Sequence, residues 1–222
     1  GKPAKMGFIR PHNTDHWWGG GFAEFVEGAA GVYFRNDFGS LAKGQEVDFS
    51  IMVKALATGH NFPTGSTEER DVWLHVSLND AEGNEQLHIK VPEKPDDPDD
   101  KYFITSNDKV AYPSHSTLTG PIERDGLIEG DRLYHSAFID SEGEFTYAQW
   151  LAVEVIDNRL EPLEERIENY TFTVPADLAP GEYNLTAVLY YRRMPDPLAD
   201  FLKIERRPVI EVSRDVRKVE VK

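Results

Sequence analysis

The sequence predicts an all-β fold, an immunoglobulin-like antiparallel β-sandwich, and three observations predict it. Apolar residues alternate with polar ones in run after run, at the period of two that a half-buried strand requires. Turns rich in Gly, Asp and Asn separate most of these runs. No alternation of strands with long helical patterns interrupts them, so nothing indicates a parallel sheet. The count is eight or nine strands, with an irregular N-terminal arm and a long acidic loop. At 222 residues the chain fits a single domain, with 1–34 forming an arm and short helix packed on a sandwich of 35–222.

Residues 1–19 read as the arm. In 20–34, Phe22, Phe25, Val26 and Ala29 fall at helical spacing and predict a short helix, which Gly28 and Gly31 weaken. From Gln45 the period becomes two: Val47, Phe49, Ile51 and Val53 line one face of a strand. Val72, Leu74, Val76 and Leu78 repeat that pattern. A turn at 79–84 leads into a strand over 86–91. Residues 92–130 are charged, proline-broken and without period, which predicts the most mobile or most externally anchored part of the chain. Strands resume over 132–140, 147–156, 165–174 and 182–192. A short turn of helix is predicted over 195–202, and strands over 207–212 and 216–221 close the chain.

The chain carries 24 Lys and Arg against 39 Asp and Glu, a net charge of −15. Phosphate repulsion argues against nucleic acid, and the same sign argues against an anionic membrane surface. A cationic partner, divalent ions or plain solubility fit this charge. Cysteine is absent, which removes disulfides, thiolate nucleophiles, iron–sulfur and zinc-thiolate sites, and covalent c-type haem. No apolar run approaches the roughly 20 residues of a membrane span. The opening Gly1-Lys2-Pro3 lacks a leader pattern and reads as a processed or trimmed start.

Two glycine-framed histidine motifs carry the strongest chemical signal. One is Asp15-His16-Trp17-Trp18-Gly19-Gly20; the other is Thr58-Gly59-His60-Asn61-Phe62-Pro63-Thr64-Gly65. Imidazole is the commonest neutral metal ligand, and a turn rich in Gly and Pro fixes where it points. His60 is the first candidate ligand, and its alternative is a ring satisfied by loop carbonyls. His16 is the second, with Trp17 and Trp18 as apolar plugs. His75 and Trp73 lie on the strand face opposite Val72, Leu74 and Val76, towards solvent or another element. His135 is a ligand candidate or a core-edge histidine bonded to backbone. His115 is a weaker loop candidate, and nothing distinguishes His12 or His88. Imidazoles without thiolate favour copper, zinc or nickel over calcium or magnesium, and a lone imidazole can also face a haem iron from another chain. Asp80, Glu82 and Asn84, and likewise Asp140, Glu142 and Glu144, look like calcium loops but lack the full ligand alternation; hairpin turns are the better reading. The acidic cluster at 96–100 reads as a solvated loop. Linear enzyme motifs are missing, so the reading leans to binding rather than catalysis. Arg70 is expected to anchor the 58–70 loop.

The order DHxxxGG, GHxFPTG, ERxxWLxV, DNRLEP, VPAD, YNLTAVLYYRR and ADFL resembles the haem-free C-terminal domain of large multihaem c-type cytochromes, over residues 13–212. That resemblance implies a sandwich working in electron transport, with a c-type cytochrome as partner. The sequence is also similar to the copper-repressible, surface-associated copper proteins of methane-oxidising bacteria. Those are cysteine-free secreted β-proteins that bind copper through histidines and an oxidised tryptophan two residues before a ligand, a spacing that Trp73-Leu74-His75 shares. This second resemblance implies copper as the cofactor, Trp73 as a cofactor-binding residue, and a periplasmic or cell-surface location. The resulting expectation is a secreted metal-binding protein that takes copper through His60 with some of His16, His75 and His135. The alternative is a haem-free interaction or haem-capping domain of a multihaem cytochrome system.

Overall fold

The computed structural model describes residues 26–56, 58–112 and 120–222. In chain order its strands are β1 (Ala30–Phe34), β2 (Ser40–Leu41), β3 (Glu46–Ala55), β4 (Asp71–Asn79), β5 (Glu85–His88), β6 (Lys109–Tyr112) and β7 (Gly120–Glu123). Then follow β8 (Arg132–Leu133), β9 (Ser136–Ile139), β10 (Glu154–Asp157), β11 (Glu165–Thr173), β12 (Gly181–Arg192) and β13 (Val209–Val221), with one helix, α1 (Asp196–Leu202), between the last two. The arm read over 1–19, with His12, His16, Trp17 and Trp18, lies outside the described residues, as does His115.

Two sheets make the sandwich. The smaller runs β1-β3-β11; the larger runs β2-β13-β12-β4-β5, with β8 also paired to β4. The pairings are antiparallel except for β2 on β13. In β3 every second side chain is buried, so Val47, Phe49, Ile51 and Val53 face Val72, Leu74, Val76, Leu78, Leu185, Ala187 and Leu189 in one core. Each such aliphatic group contributes about 1.5–3 kcal/mol on burial. A one-residue slip would turn a whole set of them to solvent, which fixes the register.

The helical spacing read over 20–34 gives way at Ala30 to a strand. β1 pairs with β3, Val32 opposite Val53. Gly28 and Gly31 leave little helix propensity, while pairing buries Val32 and Phe34 in the core. The strand read over 132–140 breaks into β8 and β9 at Tyr134-His135. The two final segments are one continuous strand, β13. α1 starts beside Pro195 with Pro197 in its first turn, and ends on Lys203 in the left-handed conformation, as N-terminal proline and C-terminal capping favour.

The described residues of the 92–130 stretch are anchored to the rest of the fold. They form a 3₁₀ turn (Asp100–Phe103) and the β6–β7 hairpin. Tyr102, Phe103, Val110 and Ile122 join Ala137, Ile139, Phe145, Tyr147 and Leu198 in a second apolar cluster. Buried Arg132 holds this layer to the sandwich: Nη1 lies 2.6 Å from Asp100 Oδ1 and Nε 3.3 Å from Glu168 Oε2. Arg124 donates to the carbonyls of Lys101 and Ile104. The sequence concealed this cluster because its members sit in elements too short to show a period.

Candidate metal centre

The second layer gives β4 two buried faces. The face of Trp73 and His75, opposite the main core, therefore meets another element rather than water. Trp73 is buried, its ring 5.2 Å from that of Tyr190 and under the Arg192 guanidinium at 5.8 Å. Two residues on, His75 points between β5 and the segment that leads into β8. A turn at 80–84, in which Asp80 Oδ1 accepts the amides of Glu82 and Asn84, folds β5 back on β4. The register sets His88 opposite Ser77, so His88 is the diagonal neighbour of His75 on one face. The two imidazoles stack, centroids 4.8 Å apart and 23° from parallel.

Asp131 closes the group. It is 2% exposed, and hydrogen bonds between its backbone and Thr105 hold it on both sides: its amide donates to Thr105 Oγ1 and its carbonyl accepts the Thr105 amide. Its carboxylate lies 3.0 Å from His75 Nδ1 through either oxygen and 2.8 Å from His88 Nε2. On the far side of the His75 ring, Glu85 Oε2 is 2.9 Å from Nε2. Burial alone disfavours the imidazolium, but the hydrogen bond and charge of Asp131 and then of Glu85 outweigh it, and the His75 pKa rises to about 9. Without metal, His75 is thus a cation donating to two carboxylates.

His75, His88 and Asp131 offer three ligand atoms within 4.8 Å of one another, the one such group among the described residues. Separations of 2.8–3.0 Å serve hydrogen bonds while the protons are present. With them gone, the same separations suit one edge of a coordination sphere with bonds of ~2.1 Å. Glu85 then stands where a supporting carboxylate belongs: it accepts from Nε2 and leaves Nδ1 free to ligate.

The other expected ligands fall elsewhere. His60 is exposed, and its Nδ1 lies 3.1 Å from the Asn61 carbonyl. Its loop is firmly built: buried Phe62 bridges to Leu160, and Arg70 donates to the carbonyls of Thr64 and Arg193 at 3.1 and 2.9 Å. His135 is buried, donates from Nε2 to the Tyr102 carbonyl at 3.0 Å, and sits between Phe103 and Phe145. Burial lowers its pKa against the pull of that bond, so it is a neutral core histidine. The two acidic turns spend their carboxylates on themselves, Asp140 Oδ1 accepting from Glu142 and Glu144 as Asp80 does. Sequence reasoning missed His88, Glu85 and Asp131. Counting hairpin register back from the 80–84 turn would have paired His88 with the His75 face; Asp131 carries no local signal.

The fold has a counterpart among solved structures. A penta-heme cytochrome c552 from Thermochromatium tepidum is similar to this chain with a TM-score of 0.54 and 18% identity, over 91% of this chain and 43% of that one. The match shows a shared fold, and the chain spans less than half of that cytochrome's length. Spo0M from Bacillus subtilis (TM-score 0.30, 14% identity, 88% of this chain, 50% of that one) and AvmM, which catalyses a macrocyclisation (0.39, 8%, 87% and 89%), are too distant to carry an argument. No family model matches this sequence, and no curated protein matches it by sequence.

Proposed function

We propose that this chain is a metal-binding β-sandwich whose ion is held by His75, His88 and Asp131. The observation that carries the reading is the convergence of three ligand atoms from three chain segments, with Glu85 behind one ring. Two imidazoles and one carboxylate select a first-row transition ion over calcium or magnesium. Divalent copper heads the affinity order for such donors, so copper is the ion this reading favours. A periplasmic or cell-surface setting goes with it. The test is metal content after incubation with copper, zinc or calcium salts and desalting. His75→Ala, His88→Ala and Asp131→Asn should each lose the ion, and any two together should lose little more, because one site is non-additive. His60→Ala should keep it. A wild-type protein that takes up none of the three metals overturns the reading.

A second reading rests on the fold match over 91% of the chain: a haem-free domain that serves a multihaem c-type cytochrome, with electron transport as its setting. The two readings are compatible. Calorimetric titration against a purified multihaem c-type cytochrome, with the metal-free His75→Ala variant alongside, separates docking from metal binding.

A further inference from the structure

Among the described residues, the sheet formed by β9 and β10 contains those two strands alone. The second edge of β9 is covered, Ile139 bridging to Phe145 and the Thr146 amide donating to the Phe138 carbonyl at 2.8 Å. β10 pairs only with β9 among the described residues, so no other described strand lies on its outer edge. Beside that edge lies an exposed apolar run: Leu151 is 40% exposed, Val153 69% and Val155 56%. Soluble proteins blunt such edges with lysine, proline or a bulge. The segment Gln149–Asp157 has no lysine and no proline, and β10 runs in unbroken register against β9. A strand edge flanked by a contiguous exposed apolar patch marks an interaction surface.

Charge selects the occupant. A second copy pairing antiparallel across a twofold axis between Val155 and Ile156 would set Glu154 against Asp157 twice, carboxylate opposite carboxylate. It would also bring together two chains of charge −15. Asp157 is already held by Arg159 at 2.6 Å, while Glu154 points to solvent. We propose that the outer edge of β10 and the 151–155 apolar run dock an extended basic segment of a partner protein, which adds a strand to the β9–β10 sheet. Main-chain hydrogen bonds supply the affinity, alternate apolar side chains cover Val153 and Val155, and a Lys or Arg opposite Glu154 sets the choice of partner.

The test is hydrogen exchange of the whole chain with three synthetic eight-residue peptides: alternating Val and Lys, alternating Val and Glu, and the Val–Lys peptide with alternate amides N-methylated. The Val–Lys peptide should slow exchange at 153–157 by about tenfold or more, the signature of an added strand, while the other two should not. Val155→Lys should abolish the effect; that side chain is exposed, so an unchanged melting temperature will show the fold intact. Protection absent from 153–157, or equal with the acidic or the N-methylated peptide, overturns the proposal. Self-association of the chain that Val155→Lys abolishes overturns it in favour of a second copy.

Discussion

The imidazoles of His75 and His88 stack 4.8 Å apart across the β4–β5 pair, and both donate to the one buried carboxylate of Asp131. Two rings that share an acceptor tie the β4–β5 hairpin to the start of β8. The tie depends on protonation. The folded pKa of His75 is raised from 6.5 to about 9. A raised pKa means the group contributes stability that is fully present below pH 6.5 and is lost as pH climbs through about 9. In metal-free protein, the stability advantage of wild type over His75→Asn should therefore shrink between pH 6.5 and 9.5. Urea unfolding at several pH values measures it, and an advantage that is flat or grows with pH contradicts the ion pair.

Glu85 touches the outer nitrogen of His75, not the proposed ion. Glu85→Gln keeps an acceptor oxygen but removes the charge, so the ring keeps its orientation and loses basicity. Metal affinity should fall by about 10–100-fold, the range for a lost supporting carboxylate, with the melting temperature of the metal-free protein moving little, since Glu85 is exposed. Competitive titration against a chromogenic chelator reads the affinity.

Arg70 fastens the His60 loop to the end of β12 through two carbonyls. Lysine is a point charge and cannot donate along both directions of that fork. Arg70→Lys should cost about 1–2 kcal/mol, as for a lost charge-assisted bond, and raise hydrogen exchange across 58–70 before it does so elsewhere. Unchanged exchange in that loop would remove Arg70 as its anchor.

The sandwich was legible because burial acts at a strict period. Val47, Phe49, Ile51 and Val53 announce a strand in one dimension, and in space they line one face of β3. The expected role of Arg70 was half legible: Thr64 lies six residues back in the loop that Arg70 closes, whereas Arg193 comes from the end of β12. The metal group was half legible. His75 stood out by its strand position, but His88 needed a register and Asp131 needed the tertiary fold. The arrangement of the described part of 92–130 was hidden because what orders it is a set of single long-range contacts, Arg132 with Asp100 and Glu168 above all, and such contacts leave no local pattern.

That same triad gives the largest expected effect. Arg132 is 1% exposed, and it faces Asp100 on one side and Glu168 on the other, both nearly as buried. Lys94 reaches Asp100 at 3.5 Å from the surface, and the Tyr134 hydroxyl donates to Glu168 at 3.3 Å, so neither carboxylate is without help. Neither helper is a buried cation. Arg132→Met keeps most of the volume but strands two carboxylates in the interior, and it should destabilise the protein by about 3–5 kcal/mol. The loss should appear first as exchange in 100–105 and 124–131, because Arg132 is what joins that layer to β11. Removing the stranded charges as well, in Arg132→Met with Asp100→Asn and Glu168→Gln, should recover at least half of the loss, since the cost lies in the uncompensated charge rather than in the missing bonds. Chemical denaturation of the three proteins decides this: a triple variant no more stable than the single one would show that the triad works through its directed hydrogen bonds instead.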